Sequence, residues 1–291
     1  TFYQQYPHLH RGFAIAAFFI PSVFFWGSGL LKDTLALTFL CFSTYLTYKI
    51  FIRKGAGWFA VIMLALSLYA LFSIKVYILM NFLPAAIIWV ATRNLSRLSS
   101  PAVKGLLFPF VLVASVLVGF YAVMKASEDN PKYSLQKLGE TARVTAYDIR
   151  YYTGREAGSG YTLGELDGSF NSMLRLAPVA INVSLFRPYL WEVVNPLMLL
   201  SALESFVLLL IVVTLFFKYR LLILKYLVNP DVLFGLLFSI SFAFAVGVST
   251  FNFGTLVRYK IPLMPLFSVA LFLLYEFSKR ERKFRALAET E

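Results

Sequence analysis

Residues 194–217 read VNPLMLLSALESFVLLLIVVTLFF, and this stretch decides the fold. A helix rises about 1.5 Å per residue and the hydrocarbon core of a bilayer is about 30 Å thick, so about 20 mostly apolar residues span it. Its one charged side chain is Glu204, with Ser201 and Ser205 beside it. A carboxylate at that depth is costly, which makes Glu204 either functional or a partner contact for a neighbouring helix.

Working outward, seven further runs meet the same standard: 13–31, 35–52, 58–74, 76–91, 106–124, 232–249 and 261–277. Between 58–74 and 76–91 stands little more than Lys75, so a tight helical hairpin is expected there. Residues 221–228 are apolar but too short to cross and are interrupted by Lys225, which reads as an interfacial segment. Composition agrees with this count: of 291 residues 59% are hydrophobic and 14% charged, against about 45–50% and about 25% in soluble domains. The expected fold is therefore an all-α polytopic transmembrane bundle of about eight spans. Residues 1–124 carry about five of them, 125–193 form a long connection, 194–278 carry about three, and 279–291 are a basic tail. The chain begins at Thr1 without a charged leader, so no signal peptide is read and the span count is a minimum.

Orientation follows from the Lys and Arg residues, which short cytoplasmic loops retain. The tail from Ser278 to Arg285 reads SKRERKFR and belongs in the cytoplasm. Counting back, Lys218, Arg220 and Lys225, then Arg93, Arg97 and Lys104, then Lys49, Arg53 and Lys54, and finally Arg11 fall on the same side. The connection 125–193 is then exoplasmic. It holds Glu128, Asp129, Glu140, Asp148, Glu156, Glu165, Asp167 and Glu192. Its centre, GREAGSGYTLGELDG at 154–168, predicts irregular backbone. The flank 135–152 suits an amphipathic helix, and 170–190 is apolar enough to lie on the membrane or pack over the helix ends.

Several signatures are missing. No Walker A loop and no G-x-G-x-x-G follows a strand, no internal repeat is visible, and no nucleic-acid partner is expected. The single cysteine, Cys41, excludes an internal disulfide, and His8 and His10 stand alone, so no metal cage and no cofactor are expected; a divalent ion held by carboxylates stays open. The patch Gly27-Ser28-Gly29 reads as close helix packing rather than phosphate binding.

The candidate chemistry lies at the outer helix ends. At 21–33, PSVFFWGSGLLKD brings a proline kink, Trp26, a glycine pair and then Lys32 beside Asp33. Lys32 can hold a phosphate oxygen while Asp33 orients it or takes a proton; the plainer reading makes Asp33 the N-cap of a helix beginning at Thr34. Lys75 with Tyr77, Arg187 with Trp191 and Glu192, and Arg258 with Lys260 repeat the pairing of cation and ring at headgroup depth. Each alone is snorkelling, but together on the face that normally lacks cations Lys32, Lys75, Arg187, Arg258 and Lys260 would make one anion site, with rings suited to sugar faces or an isoprenoid chain. Asp33 and Glu192 are the candidate acids.

The stretches PSVFFWGSGLLKD at 21–33, IKVY at 74–77, FRPYLWE at 186–192 and VRYKIPLMPLF at 257–267 resemble polytopic proteins of bacterial surface-polysaccharide synthesis. These are O-antigen polymerase-like proteins and the wider C-type glycosyltransferase superfamily, which use polyprenyl-phosphate-linked sugars on the outer face. The resemblance implies that Arg258 and Lys260 hold the lipid phosphate, that Arg187 assists and that Asp33 is the acidic residue. Such families have more than eight spans, and the C-type acid lies in a first loop that here would precede Thr1. The function expected is glycosyl transfer or polymerisation at the outer face of a bacterial inner membrane, with the bilayer and a polyprenyl-linked saccharide as partners. Two alternatives stand beside it: a lipid-linked-sugar flippase or transporter acting through Glu204, and a non-catalytic subunit of a larger membrane assembly.

Overall fold

A computed structural model describes residues 1–29, 31–127, 135–149, 151, 159–164 and 166–288. Parts of two sequence expectations, residues 154–158 and 165 of the irregular centre and residues 150 and 152 of the amphipathic flank, lie outside the described residues, as do Glu128, Asp129 and Glu156. Among the described residues the regular structure is helical, with one isolated bridge between Gly160 and Asn252.

The chain opens with α1 (Phe2–Gln5), α2 (His10–Phe18) and α3 (Pro21–Gly27). Next come α4 (Lys32–Thr47), continued by a π turn at Tyr48–Ile52, and then α5 (Trp58–Leu95) and α6 (Pro101–Ser127). The connection supplies α7 (Leu135–Ile149), α8 (Phe170–Arg175) and α9 (Ala177–Phe186). The last part holds α10 (Pro196–Tyr219), α11 (Leu222–Leu227), α12 (Pro230–Thr250), α13 (Phe253–Tyr259) and α14 (Leu263–Ala288).

Among the described residues four helical stretches, Lys32–Ile52, Trp58–Leu95, Pro196–Tyr219 and Pro230–Thr250, are long and apolar enough to cross a membrane, and there are six if each of two bent pairs counts as one span. The chain is thus a helical membrane protein. Both bends follow from proline. Pro21 disfavours helical backbone at Ile20, and the chain turns 57° between α2 and α3; Pro262 sits in the 67° break between α13 and α14. The glycine patch closes a turn rather than a helix contact: Gly27 ends α3, and the Thr34 hydroxyl donates to the Gly29 carbonyl at 2.5 Å.

Lys75 leaves the helical region at φ −150°, ψ 81° and divides α5 in two. Its ammonium meets Asp33 at one end of α4, whereas Ala60 packs with Leu46 and the Arg97 guanidinium bonds the Ile52 carbonyl near the other end. Both limbs of α5 therefore end on the same side, and the chain reverses at Lys75.

The core forms around α12. Val232, Phe234, Phe238, Phe242 and Ala243 are fully buried, and Phe234 stacks on Trp89 with ring centroids 4.4 Å apart. Apolar packing gains little from dehydration inside lipid, so close backbone approach matters more. A Cβ on Gly235 would lie 2.8 Å from the Leu266 carbonyl, and one on Gly247 would collide with the Ala180 carbonyl of α9. Helix α9 is therefore an internal element: Ala180 and Val183 are fully buried, and the Ser184 hydroxyl donates to the Ala243 carbonyl at 2.7 Å. Leu203, Val207 and Leu210 on α10, and Trp58, Ile62 and Leu66 on α5, stay exposed where lipid would cover them.

The centre of the connection is tied to the junction of α12 and α13. Backbone bonds join Tyr161 to Phe251 and Phe253 to Ser159, each 3.0 Å, and the Tyr161 hydroxyl meets Thr250 at 2.8 Å.

Candidate functional site

Asp33 occupies the first turn of α4 and is 2% exposed. The helix begins at Lys32, two residues earlier than the N-cap reading requires, and Asp33 makes no cap; its carboxylate points to two cations instead. Lys75, at the reversal of α5, binds Oδ1, and the Nε of Arg258 on α13 donates to Oδ2 at 2.5 Å. Three rings face the cations. Trp26 lies 5.7 Å from the Arg258 guanidinium, and Tyr77 and Tyr259 lie 5.7 and 4.8 Å from the Lys75 ammonium. One carboxylate against two cations leaves a positive balance, to which the exposed Lys32 adds. The Arg258 side chain is 37% exposed, so the cluster is open on that side.

Lys260 belongs elsewhere. It is fully buried, its ammonium lies 3.7 Å from Oε1 of Glu204 and donates to the Ser205 hydroxyl at 3.3 Å. Glu204 also accepts from the Ser22 amide at 2.7 Å and the Ser22 hydroxyl at 2.9 Å. Ser22 opens α3 and Lys260 closes α13, so one carboxylate on α10 ties the two proline breaks together. Unpaired charge at this depth costs several kcal/mol, and the serines and the helix N-terminus supply what a single cation leaves unmet.

Arg187 is engaged a third way. Its guanidinium forks onto Glu192, with Nε 3.1 and 3.0 Å from the two oxygens, and the Tyr189 amide donates to Glu192 at 2.8 Å. Burial raises the Glu192 pKa, but the bonds from Arg187 and Tyr189 outweigh it and hold the carboxyl below the usual carboxylate range. Glu192 is therefore held by the Arg187 guanidinium and the Tyr189 amide, away from Asp33's cations. Phe253, Tyr161 and Tyr189 surround Arg187 at 5.2, 5.7 and 5.7 Å. Trp191 is 80% exposed and stacks on Tyr189.

The five cations expected in one ring thus divide: Lys75 and Arg258 converge on Asp33 with Lys32 adjacent, Lys260 pairs with Glu204, and Arg187 pairs with Glu192. The last two groups touch through Ser205, whose hydroxyl donates to the Arg187 carbonyl at 3.0 Å. A cleft of about 110 Å³ between α3, α10 and α13 meets all three groups, being lined by Trp26, Glu204 and Phe253, with Ser159 at its edge. Sites for small molecules measure about 300–1,000 Å³, which this cleft does not reach.

Sequence reading missed Asp231. It lies in the first turn of α12, fully buried, and receives the Tyr6 hydroxyl at 2.7 Å, the Trp89 indole at 2.8 Å and the Arg93 guanidinium at 3.2 Å. The available signal was Asn229-Pro230-Asp231, a cap, a proline and an acid opening an apolar run. Among the described residues, no three His, Cys, Asp or Glu side chains gather as a metal site. No family model matches the chain, and neither a curated protein nor a solved structure does.

Proposed function

We propose that the protein is a membrane glycosyltransferase or polysaccharide polymerase that draws on a polyprenyl-phosphate-linked sugar, with Lys75, Arg258 and Asp33 at its centre. The observation that carries the reading is the convergence of two cations and three rings on one buried carboxylate at the end of the bundle where α4 begins. In this scheme the donor's phosphates compete with Asp33 for Lys75 and Arg258. The cations then take up the charge that grows on the leaving diphosphate as the anomeric C–O bond breaks. Asp33, released from its partners, receives the proton of the attacking hydroxyl, while Trp26, Tyr77 and Tyr259 line the sugar or the first isoprene units.

The topology proposed with it has eight crossings in a bacterial inner membrane, with the Asp33 end outside and the tail in the cytoplasm. Support comes from the two limbs of α5, which reverse at Lys75, and from α6, which packs beside them; taken as two crossings more than the six candidate spans, they would bring the number to eight. Replacing Arg258 by Ala should abolish transfer from a polyprenyl-diphosphate sugar in nanodiscs while the folded fraction holds. Full transfer by that variant would overturn the reading.

A transport reading draws on a separate observation, the two broken spans held by Glu204 and Lys260, since discontinuous helices meeting at a buried charge are also the architecture of ion-coupled carriers. Loss of lipid-sugar translocation in Glu204→Gln, with Arg258→Ala unimpaired, would favour it.

A further inference from the structure

At the end of the bundle away from Asp33, a second feature is built from different residues. Helices α2, α10 and α14 leave a groove of about 670 Å³ between them, walled by apolar side chains such as Ile15, Val207, Ile211 and Leu271. It runs down α10 from the level of Glu204 to Lys218 and Tyr219, about 21 Å by the helical rise, against about 15 Å for the hydrocarbon of one leaflet. There it opens into a pocket of about 280 Å³ that shares Lys218, Tyr219 and Tyr275 with it and adds Lys279, Arg282 and Lys283. The spacing of 279, 282 and 283 puts those three on one face of α14.

The mouth is unbalanced in charge. Glu276 is paired with Arg280 at 2.6 Å, and Glu281 with Lys225 at 2.8 Å and Arg285 at 3.2 Å, so the carboxylates of this stretch point to other cations. Among the described residues no carboxylate pairs with Lys218, Lys279, Arg282 or Lys283. Lys218 and Lys279 lie 5.7 and 5.6 Å from the Tyr275 ring, which keeps both ammoniums at the mouth.

We infer that this groove and pocket form a binding site for an anionic glycerophospholipid, with an acyl chain in the groove and the phosphodiester among the four cations. Snorkelling alone explains basic residues at a helix end, but not a chain-length groove that empties among four cations with which no carboxylate of the described residues pairs. The inference stands apart from the proposed transfer reaction, because neither Asp33, Lys75 nor Arg258 takes part.

The test is native mass spectrometry of the purified full-length chain after exchange into mixed phosphatidylglycerol and phosphatidylcholine. The wild type should retain phosphatidylglycerol at least fivefold over phosphatidylcholine. Joint replacement of Lys218, Lys279, Arg282 and Lys283 by Gln should erase that preference, while Lys225→Gln with Arg285→Gln keeps it. Ile211→Trp, which fills the groove and leaves every charge in place, should lower retention of both lipids and serves even where the fourfold variant does not fold. Equal retention of the two lipids by the wild type, an equal loss in the Lys225 and Arg285 control, or wild-type retention by Ile211→Trp would overturn the inference. So would displacement of phosphatidylglycerol by an equal concentration of polyprenyl phosphate.

Discussion

Asp33 and Asp231 are built alike and balanced differently. Each is a buried aspartate in the first turn of a helix, and each takes a cation from α5, Lys75 at its reversal or Arg93 near its end. Around Asp231 the account closes: one cation, two neutral donors from Tyr6 and Trp89, and a carboxylate with no exposure of its own. Around Asp33 a second cation, Arg258, enters from α13 and stays partly open to the outside. A balanced, sealed cluster holds helices together, whereas one with surplus charge and an open edge has capacity left for an anion.

The largest effect should come from the Asp231 side. Asp231→Ala leaves the half-buried Arg93 and the Tyr6 and Trp89 donors without their shared buried acceptor and should cost about 3–5 kcal/mol, read as a drop in thermal midpoint in nanodiscs. Asp33→Ala should cost clearly less, because Arg258 can turn to solvent; equal losses would erase the distinction between the clusters. The tie at Glu204 should follow the sealed pattern, with Glu204→Ala losing about 3 kcal/mol and the pair Glu204→Gln with Lys260→Met recovering most of it. No recovery would mean that the charges do not act on one another.

A smaller effect tests how far the connection is part of the bundle. Gly247→Val drives a side chain into the Ala180 carbonyl and should cost about 1–3 kcal/mol; a neutral result would detach α9 from α12. The smallest effect is a pH dependence. Because the folded carboxyl of Glu192 is held below its unfolded pKa of about 4.3, its pairing with Arg187 stabilises fully above that value and is lost as pH falls through the lower folded one. Melting curves of the wild type and Glu192→Gln should therefore converge on acidification below about pH 4. A constant gap between them at every pH would remove the pair from the stability of the fold.

Much of this was readable in the chain. Apolar runs of the right length mark the candidate spans, and Lys75, alone between two of them, marks a reversal because a lone charge between apolar limbs is drawn to the membrane surface. The meeting of Lys75 and Arg258 near Asp33 followed from placing each at an outer helix end. The division of the five cations was not readable, since it depends on depth: Lys260 stands only two residues from Arg258, yet Pro262 breaks the helix between α13 and α14 and Lys260 turns inward to Glu204. Asp231 escaped for another reason. Its partners, Trp89 and Tyr6, are 142 and 225 residues away, and no local pattern encodes a contact that only packing brings about.

The most direct test is to titrate a soluble short-chain polyprenyl diphosphate into nanodisc-embedded protein, comparing the wild type with Arg258→Gln and following Trp26 beside that arginine. The account predicts saturable binding that weakens at least tenfold in Arg258→Gln, equivalent to about 1.4 kcal/mol. Identical affinity in the two proteins would mean that the cations around Asp33 hold only each other's carboxylate and bind no phosphate.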